Sequence, residues 1–180
     1  MPFSSVGSER KRGPRPPLTS GSAADSQYRD VVTTYSLNDL VATFRSCTLP
    51  KEQWTHLAHL RVGAWHVDRF GRDTALEMLR VGIRQLNDFH GTVNSLDSGY
   101  HETITVAYVR LIERFLAVVD AGVPLESRVD MLTDSSLAER SFLLKFWSRD
   151  LLMSARARAE WVPPDLEPVE VPRWAAGGWP

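Results

Sequence analysis

Three histidines carry the chemistry that this sequence can offer. His56 and His59 stand three apart in Trp54-Thr-His-Leu-Ala-His-Leu60, and His101 follows in Tyr100-His-Glu-Thr-Ile-Thr105. Residues three apart on a helix lie on one face. At about 100° per residue, Leu60, Gly63, Ala64, Val67 and Phe70 share the side of His56 and His59, while Arg61, Asp68 and Arg69 lie opposite. Along the stretch 100–121, Ile104, Tyr108, Leu111, Ile112, Phe115 and Val119 form an apolar face with His101 in its middle, Thr105 one turn on and Glu102 at its edge. Burying an imidazole without a partner costs roughly 1–3 kcal/mol, so three of them on apolar faces need something to bind. A divalent metal ion, zinc or iron, supplies it: two histidines at i and i+3 with a third from a facing helix leave a position open for water or substrate. A metal-free histidine acid/base pocket and a purely structural polar network are the other two outcomes of the same pattern.

Residues around this trio take secondary parts. Glu102 reads as a fourth ligand, as a general base, or as a first-turn acid favoured by the helix dipole. Thr105 reads as an ordinary helix residue or as a hydrogen-bond partner orienting His101. Arg149, Arg156 and Arg158 form either a solvated basic helix end or a holder for an anionic substrate group, with Arg158 the leading candidate. His66, near Arg69, reads as a boundary imidazole, and His90 as a helix C-terminal residue stabilised by the macrodipole. Trp54, Trp147 and Trp161 read as packing.

The elements that must position these residues are helical. Apolar spacing marks five segments, 36–47, 51–70, 73–90, 100–121 and 135–154, with a short helical turn near 126–131. Their signals are Ser36 with Asp39, Asp73 and Ser136 with Glu139 as caps, and Gly91 as a stop. Short joints at Gly71 and at Gly122-Val123-Pro124 make neighbouring helices antiparallel, which predicts an all-α up-down bundle. The helices bearing His56 and His101 then run parallel, and the trio meets at one end of the bundle. Alternation brings His90, Asn87, Asp150 and Arg149 to that same end.

Composition narrows the class. The 180 residues are 43% hydrophobic and 24% charged, which fits one globular domain. Lys plus Arg (21) nearly balances Asp plus Glu (22), so no overall field gathers nucleic acid or anionic lipid. No apolar run approaches the roughly 20 residues that span a bilayer. Cys47 is the one cysteine, which excludes an intramolecular disulfide and a cysteine zinc cluster. Residues 1–30, rich in Ser, Gly, Pro and Arg, read as a disordered basic arm without the apolar stretch of a secretory signal, and more weakly as a transit peptide. The helical domain is placed at 31–162, and 163–180, with Pro163, Pro164, Pro168, Pro172 and Pro180, as an extended tail. The expected location is the cytoplasm.

These motifs, with Ala157-Arg-Ala-Glu-Trp-Val-Pro-Pro-Asp-Leu166, resemble a family of small, uncharacterised bacterial helical proteins over roughly 36–168. The resemblance covers aromatic-x-His-x-x-His-Leu, Tyr-His-x-Thr-x-Thr and Ala-Arg-x-x-x-Val-x-Pro-Asp-Leu. It implies that His56, His59, His101, Thr103, Thr105, Arg158 and Asp165 belong to the family pattern while the position of Glu102 varies. It implies no reaction. The site therefore points to a small metal-dependent enzyme acting on a small molecule, by hydrolase or lyase chemistry with zinc or by non-haem chemistry with iron. Arg158 and the segment through Asp165 are placed over its opening. The alternative is a non-catalytic helical binding module with a structural histidine network. The sequence leaves the oligomeric state open.

Overall fold

A computed structural model describes residues 35–169. The expected arm at 1–30, the first residues of the helical domain and the tail beyond 169 lie outside the described residues. Helix α1 (Leu37–Arg45) buries Leu37, Leu40, Val41 and Phe44, the i, i+3, i+4, i+7 stripe of an amphipathic helix. Ser36 starts it as expected, accepting from the Asp39 N–H at 3.1 Å and donating to its carboxylate at 2.7 Å. Past its end Cys47 sits at φ 54°, a left-handed stop that turns the chain toward Pro50.

Helix α2 (His56–Phe89) begins at Thr55, whose hydroxyl accepts from the Ala58 N–H. Gly71 breaks it into two arms at φ 72° and ψ 167°, a conformation that a Cβ would strain. The expected joint at Gly71 is thus a sharp kink. Asp73, expected to cap the second arm, pairs instead with Arg72 at 2.8 Å in solvent. The first arm buries Leu60, Ala64 and Val67, and the second Ala75, Leu79, Ile83 and Leu86. Helix α3 (Glu102–Val118) packs along α2, against which α1 and α4 (Leu125–Asp134) also pack. The half-buried ion pair of Arg128 with Asp68 at 2.8 Å ties α4 to α2.

The helix expected at 135–154 is instead a chain of turns. Two 3-10 turns (Ser136–Ala138 and Phe142–Lys145) precede the short helices α5 (Arg149–Leu152) and α6 (Ala155–Ala159). The apolar spacing that mimics one helix is real, and Leu137, Phe142, Leu143, Phe146 and Trp147 are all buried. What interrupts it is local: the hydroxyls of Ser135, Ser148 and Ser154 accept from the N–H of Leu137, Leu151 and Ala157, so each serine ends one turn and starts another. Ser136 and Glu139 form no capping box. The chain after α6 then returns over this region. Trp147 Nε1 donates to the Val162 carbonyl at 3.2 Å, the Leu166 N–H to the Phe146 carbonyl at 3.0 Å, and Val162 N–H to Thr103 Oγ1 at 3.1 Å. No strand occurs among the described residues, and no helix there is long and apolar enough to cross a membrane.

Candidate functional site

His56 and His59, from the first turn of α2, line a cavity of about 540 Å³ between α2, α3 and the turns that follow α4. Its apolar wall includes Leu60, Ile83, Ile104, Ile112, Leu144 and Leu152. Thr105, Tyr108, Arg140, Ser141 and Arg149 also face it, and among the described residues no carboxylate lines it. Gly63 lets α3 come close, since a Cβ there would meet Ile112 Cδ1 at 2.9 Å.

Each imidazole has one nitrogen fixed by backbone. The Nδ1–H of His59 donates to the Thr55 carbonyl at 2.6 Å, and the ring stacks on Trp54 with centroids 3.8 Å apart. That bond makes Nε2 the lone-pair nitrogen of the neutral ring, and Nε2 has no hydrogen-bond partner among the described residues. His56 donates through Nε2 to the Leu137 carbonyl at 3.2 Å, leaving Nδ1 as its acceptor. Burial lowers the pKa of both rings. For His59 it falls to about 4, against the Thr55 bond and helped by the nearby charges of His56 and Arg140. For His56 burial again leads, the Leu137 bond opposes it, and Arg140 adds to the lowering. Both rings are neutral at pH 7.

Tyr108 lies across the cavity on α3, its ring edge-on to His56 at 5.1 Å between centroids. Its hydroxyl oxygen is sealed from water and has no partner, although a buried hydroxyl ordinarily finds one. Burial, and then the charge of Glu139, push its pKa up, so it is a donor with nothing to donate to.

The other expected site residues lie elsewhere. His101 is the N-cap of α3: its Nδ1 accepts from the Ile104 N–H at 3.3 Å and its Nε2–H donates to the Leu152 carbonyl at 2.8 Å. Both nitrogens are thus spent on backbone, and the ring does not line the cavity. The helix starts at Glu102, two residues later than the apolar pattern from 100 implies, which turns a face position into a cap. Thr105 does face the cavity, but its hydroxyl donates to the backbone carbonyl of His101 at 2.9 Å and does not orient the ring. Glu102 is buried on another side, where Arg80 Nε donates to its oxygens at 3.1 and 3.2 Å and Tyr100 donates its hydroxyl at 2.8 Å. Burial raises the Glu102 pKa, but the Arg80 and Tyr100 bonds outweigh it and hold the carboxyl below its usual range. It is an anchor between α2 and α3, unavailable as a base.

Arg158 does not cover the cavity. It donates to the carbonyls of Gly99 and Tyr100 at 3.0 and 3.3 Å, fixing the turn before α3. Asp165 accepts from the N–H and hydroxyl of Ser148 at 2.7 and 2.6 Å and so holds the start of α5. Thr103, wholly buried, donates to the Glu160 carbonyl at 2.8 Å. His66 is buried, not at a boundary, with Nδ1 donating to the Val62 carbonyl at 2.8 Å. His90 ends α2 and donates to the Leu49 carbonyl at 2.8 Å.

The donor set does not fit the expected zinc or iron. Among the described residues no three His, Cys, Asp or Glu side chains are grouped to hold a metal ion, and His101 has no nitrogen to give. His56 and His59 remain as a pair.

Periodicity places Tyr108 on the core face, and the one signal it carries is a phenolic tip that needs a hydrogen bond among mostly apolar neighbours. Arg140 gave no signal, because it lies between two turns and follows no helical spacing. No family model, curated protein or solved structure matches the chain.

Proposed function

We propose that the protein is a metal-free enzyme that binds a small organic molecule in this cavity and moves a proton on it. His59 Nε2 is the acceptor and the Tyr108 hydroxyl donates a hydrogen bond to the oxygen on which charge develops. The observation that carries the reading is the pairing of an unpartnered buried hydroxyl with two neutral imidazoles around one apolar space. A cavity of this size lies within the roughly 300–1,000 Å³ of small-molecule sites. At about 30 Å³ per water molecule it has room for a compact organic molecule in place of roughly eighteen waters. Burial strengthens the Tyr108 role, since a donor fixed before the reaction needs no reorganisation, and it keeps His59 unprotonated at pH 7 while making it the weaker base.

In this reading the helix α2 start sets the base. The Thr55 carbonyl selects the tautomer, and the Trp54 face limits rotation of the ring. The hydroxyl of Tyr108, closed to solvent in the empty cavity, gains its partner when substrate entry shifts the side chains around it, and part of the cost of leaving it buried then returns as binding free energy. His56 keeps its lone pair beside the same space and either relays the proton or orients the substrate.

The test is carbon-acid exchange. Small molecules that shift the His59 and Tyr108 resonances in NMR titrations are incubated with the protein in D₂O. The expected result is deuterium incorporation at an acidic C–H, lost in His59→Gln and reduced about 100-fold in Tyr108→Phe. Binding without exchange assigns the cavity to a non-catalytic binding module. A screen in which no ligand maps to these residues removes the reading altogether.

A further inference from the structure

The side chains around this cavity leave particular polar atoms unused, and those atoms have a chemical complement. His59 gives its Nδ1–H to the Thr55 carbonyl and His56 its Nε2–H to the Leu137 carbonyl, since a carbonyl oxygen can only accept. Each neutral ring therefore keeps one lone pair, on Nε2 of His59 and on Nδ1 of His56. The Tyr108 hydroxyl is the opposite case, a donor without an acceptor. Thr105 faces the same space but has already given its hydroxyl proton to the His101 carbonyl. The three unused groups are neighbours: the His56 and Tyr108 rings meet edge-on at 5.1 Å, and His56 is near enough for its charge to be felt at His59. We infer that the substrate is an uncharged α-hydroxy carbonyl compound on an apolar body, with its carbonyl oxygen on Tyr108, its hydroxyl donated to His56 Nδ1 and the adjoining C–H presented to His59 Nε2. The inference rests on the proton-transfer reading above.

The distribution of charge with depth favours a neutral ligand. Arg140, Arg149 and Met153 line the cavity where it is exposed, and Leu60, Ile83 and Ile112 line its buried part. The rim is no simple cation site, because Arg140 has a partner of its own and the carboxylate of Glu139 is near enough to add to what burial does at Tyr108. A ligand carboxylate taken inward would meet two imidazole lone pairs and one neutral donor, and an unpaired charge in apolar surroundings is costly. An ammonium brings donors only and leaves the Tyr108 hydroxyl unpaired. A primary amide offers the right hydrogen bonds but no C–H acidic enough for a neutral imidazole. The α-hydroxy carbonyl group supplies one acceptor, one donor and an acidic C–H together, while its body lies against the aliphatic wall, out of water.

The step consumes no oxidant, reductant or co-reactant. His59 Nε2 takes the proton from the carbon that bears the hydroxyl, the C–H electron pair becomes a C=C bond, and the carbonyl π pair moves onto the oxygen bonded to Tyr108. His56 Nδ1 passes the hydroxyl proton to that oxygen. His59 then returns its proton to the former carbonyl carbon, which gives the isomeric α-hydroxy carbonyl compound.

The experiment uses 1-hydroxy-4-phenylbutan-2-one, 4-phenylbutan-2-one and 3-phenylpropanoate, which share one phenylethyl body and differ in what the carbonyl carbon carries. Calorimetric titration of the full chain at pH 7 gives the affinities, and proton NMR in D₂O follows the C–H groups beside the carbonyl. The hydroxy ketone is expected to bind about tenfold more tightly than the ketone, with the carboxylate weakest. Its hydroxyl-bearing carbon is expected to take up deuterium and the aldehyde isomer to appear. His56→Leu is expected to make the two ketones equal, and His59→Gln to abolish exchange while both still bind. Equal affinity for the two ketones in the unaltered chain, or a carboxylate bound as tightly as either, overturns the substrate class, and exchange at the plain ketone then leaves the proton-transfer reading standing. Selective binding of the hydroxy ketone with no exchange above the buffer rate overturns the isomerisation and the proton-transfer reading together. Failure of all three probes to bind up to millimolar concentration overturns the cavity reading as well.

Discussion

Replacing Tyr108 by Phe should make the ligand-free protein more stable, although it deletes a polar group from the candidate site. The hydroxyl oxygen has no partner and is sealed from water. Leaving such a group unpaired costs about 1–3 kcal/mol relative to its hydrated state, and Phe keeps the ring that packs edge-on to His56. The gain is therefore about 1–3 kcal/mol, or a rise in Tm of about 2–12 °C for a chain of this size. Tyr100 is the control, because it is buried with its hydroxyl donated to Glu102 at 2.8 Å. Breaking a hydrogen bond to a charged group costs about 1.5–3 kcal/mol, so Tyr100→Phe should lower Tm. Urea and thermal unfolding of the two variants beside the parent protein give the answer. Opposite signs support a hydroxyl held ready for a ligand. If Tyr108→Phe is destabilised like Tyr100→Phe, the hydroxyl already has a partner, and the argument that it waits for substrate is wrong.

Acid should weaken the fold through His59. The unfolded chain takes up this proton near 6.5 and the folded chain only near 4, so the contribution is complete above about pH 6.5 and lost as pH falls toward 4. Each pH unit in that window is about 1.4 kcal/mol, and the solvent contact that the residue keeps brings the total to about 2–3 kcal/mol. His59→Gln should flatten the stability-pH curve by that amount in urea titrations from pH 7 to pH 4, and an unchanged slope would contradict a neutral buried imidazole. His101→Ala should cost about 1–2 kcal/mol, the size of a lost helix cap, and elemental analysis should find the same metal content before and after. Stoichiometric zinc or iron that disappears in this variant would restore the metal site set aside above. Gly71→Ala should cost about 1–3 kcal/mol, since nothing lies within 4 Å of the added Cβ and the backbone at φ 72° and ψ 167°, open essentially to glycine alone, supplies the whole penalty; a neutral result by thermal unfolding would mean that the kink relaxes.

The pair His56 and His59 was legible because helical spacing is a local rule. Two residues three apart near the start of an apolar stripe share a face whatever the rest of the chain does, and both line the cavity. His101 illustrates the limit of the same rule. Its assignment depended on where α3 begins, and a start two residues later moves it from a face to a cap, where backbone claims both nitrogens. Glu102 was visible as an acid at a helix start, but nothing in spacing reveals Arg80 and Tyr100 closing around it. The stretch 135–154 misled for a related reason: its apolar pattern reports burial, while the serines that interrupt it act through hydrogen bonds a few residues long.

What the sequence determined by itself was the helical class, a break in the helix at Gly71, the cap at Ser36 and the histidine pair, all of which follow from propensities and periodicities within a turn or two. Arg149 was expected at the histidine end and does line the cavity, but only the tertiary structure decided that Tyr108 and Arg140 face that pair, because they come from separate segments whose approach is set by packing across the core. Whether a buried imidazole or hydroxyl is satisfied depends on those distant neighbours. Chemistry at a site is a property of what remains unpaired after folding, and the order of residues along the chain does not contain that remainder.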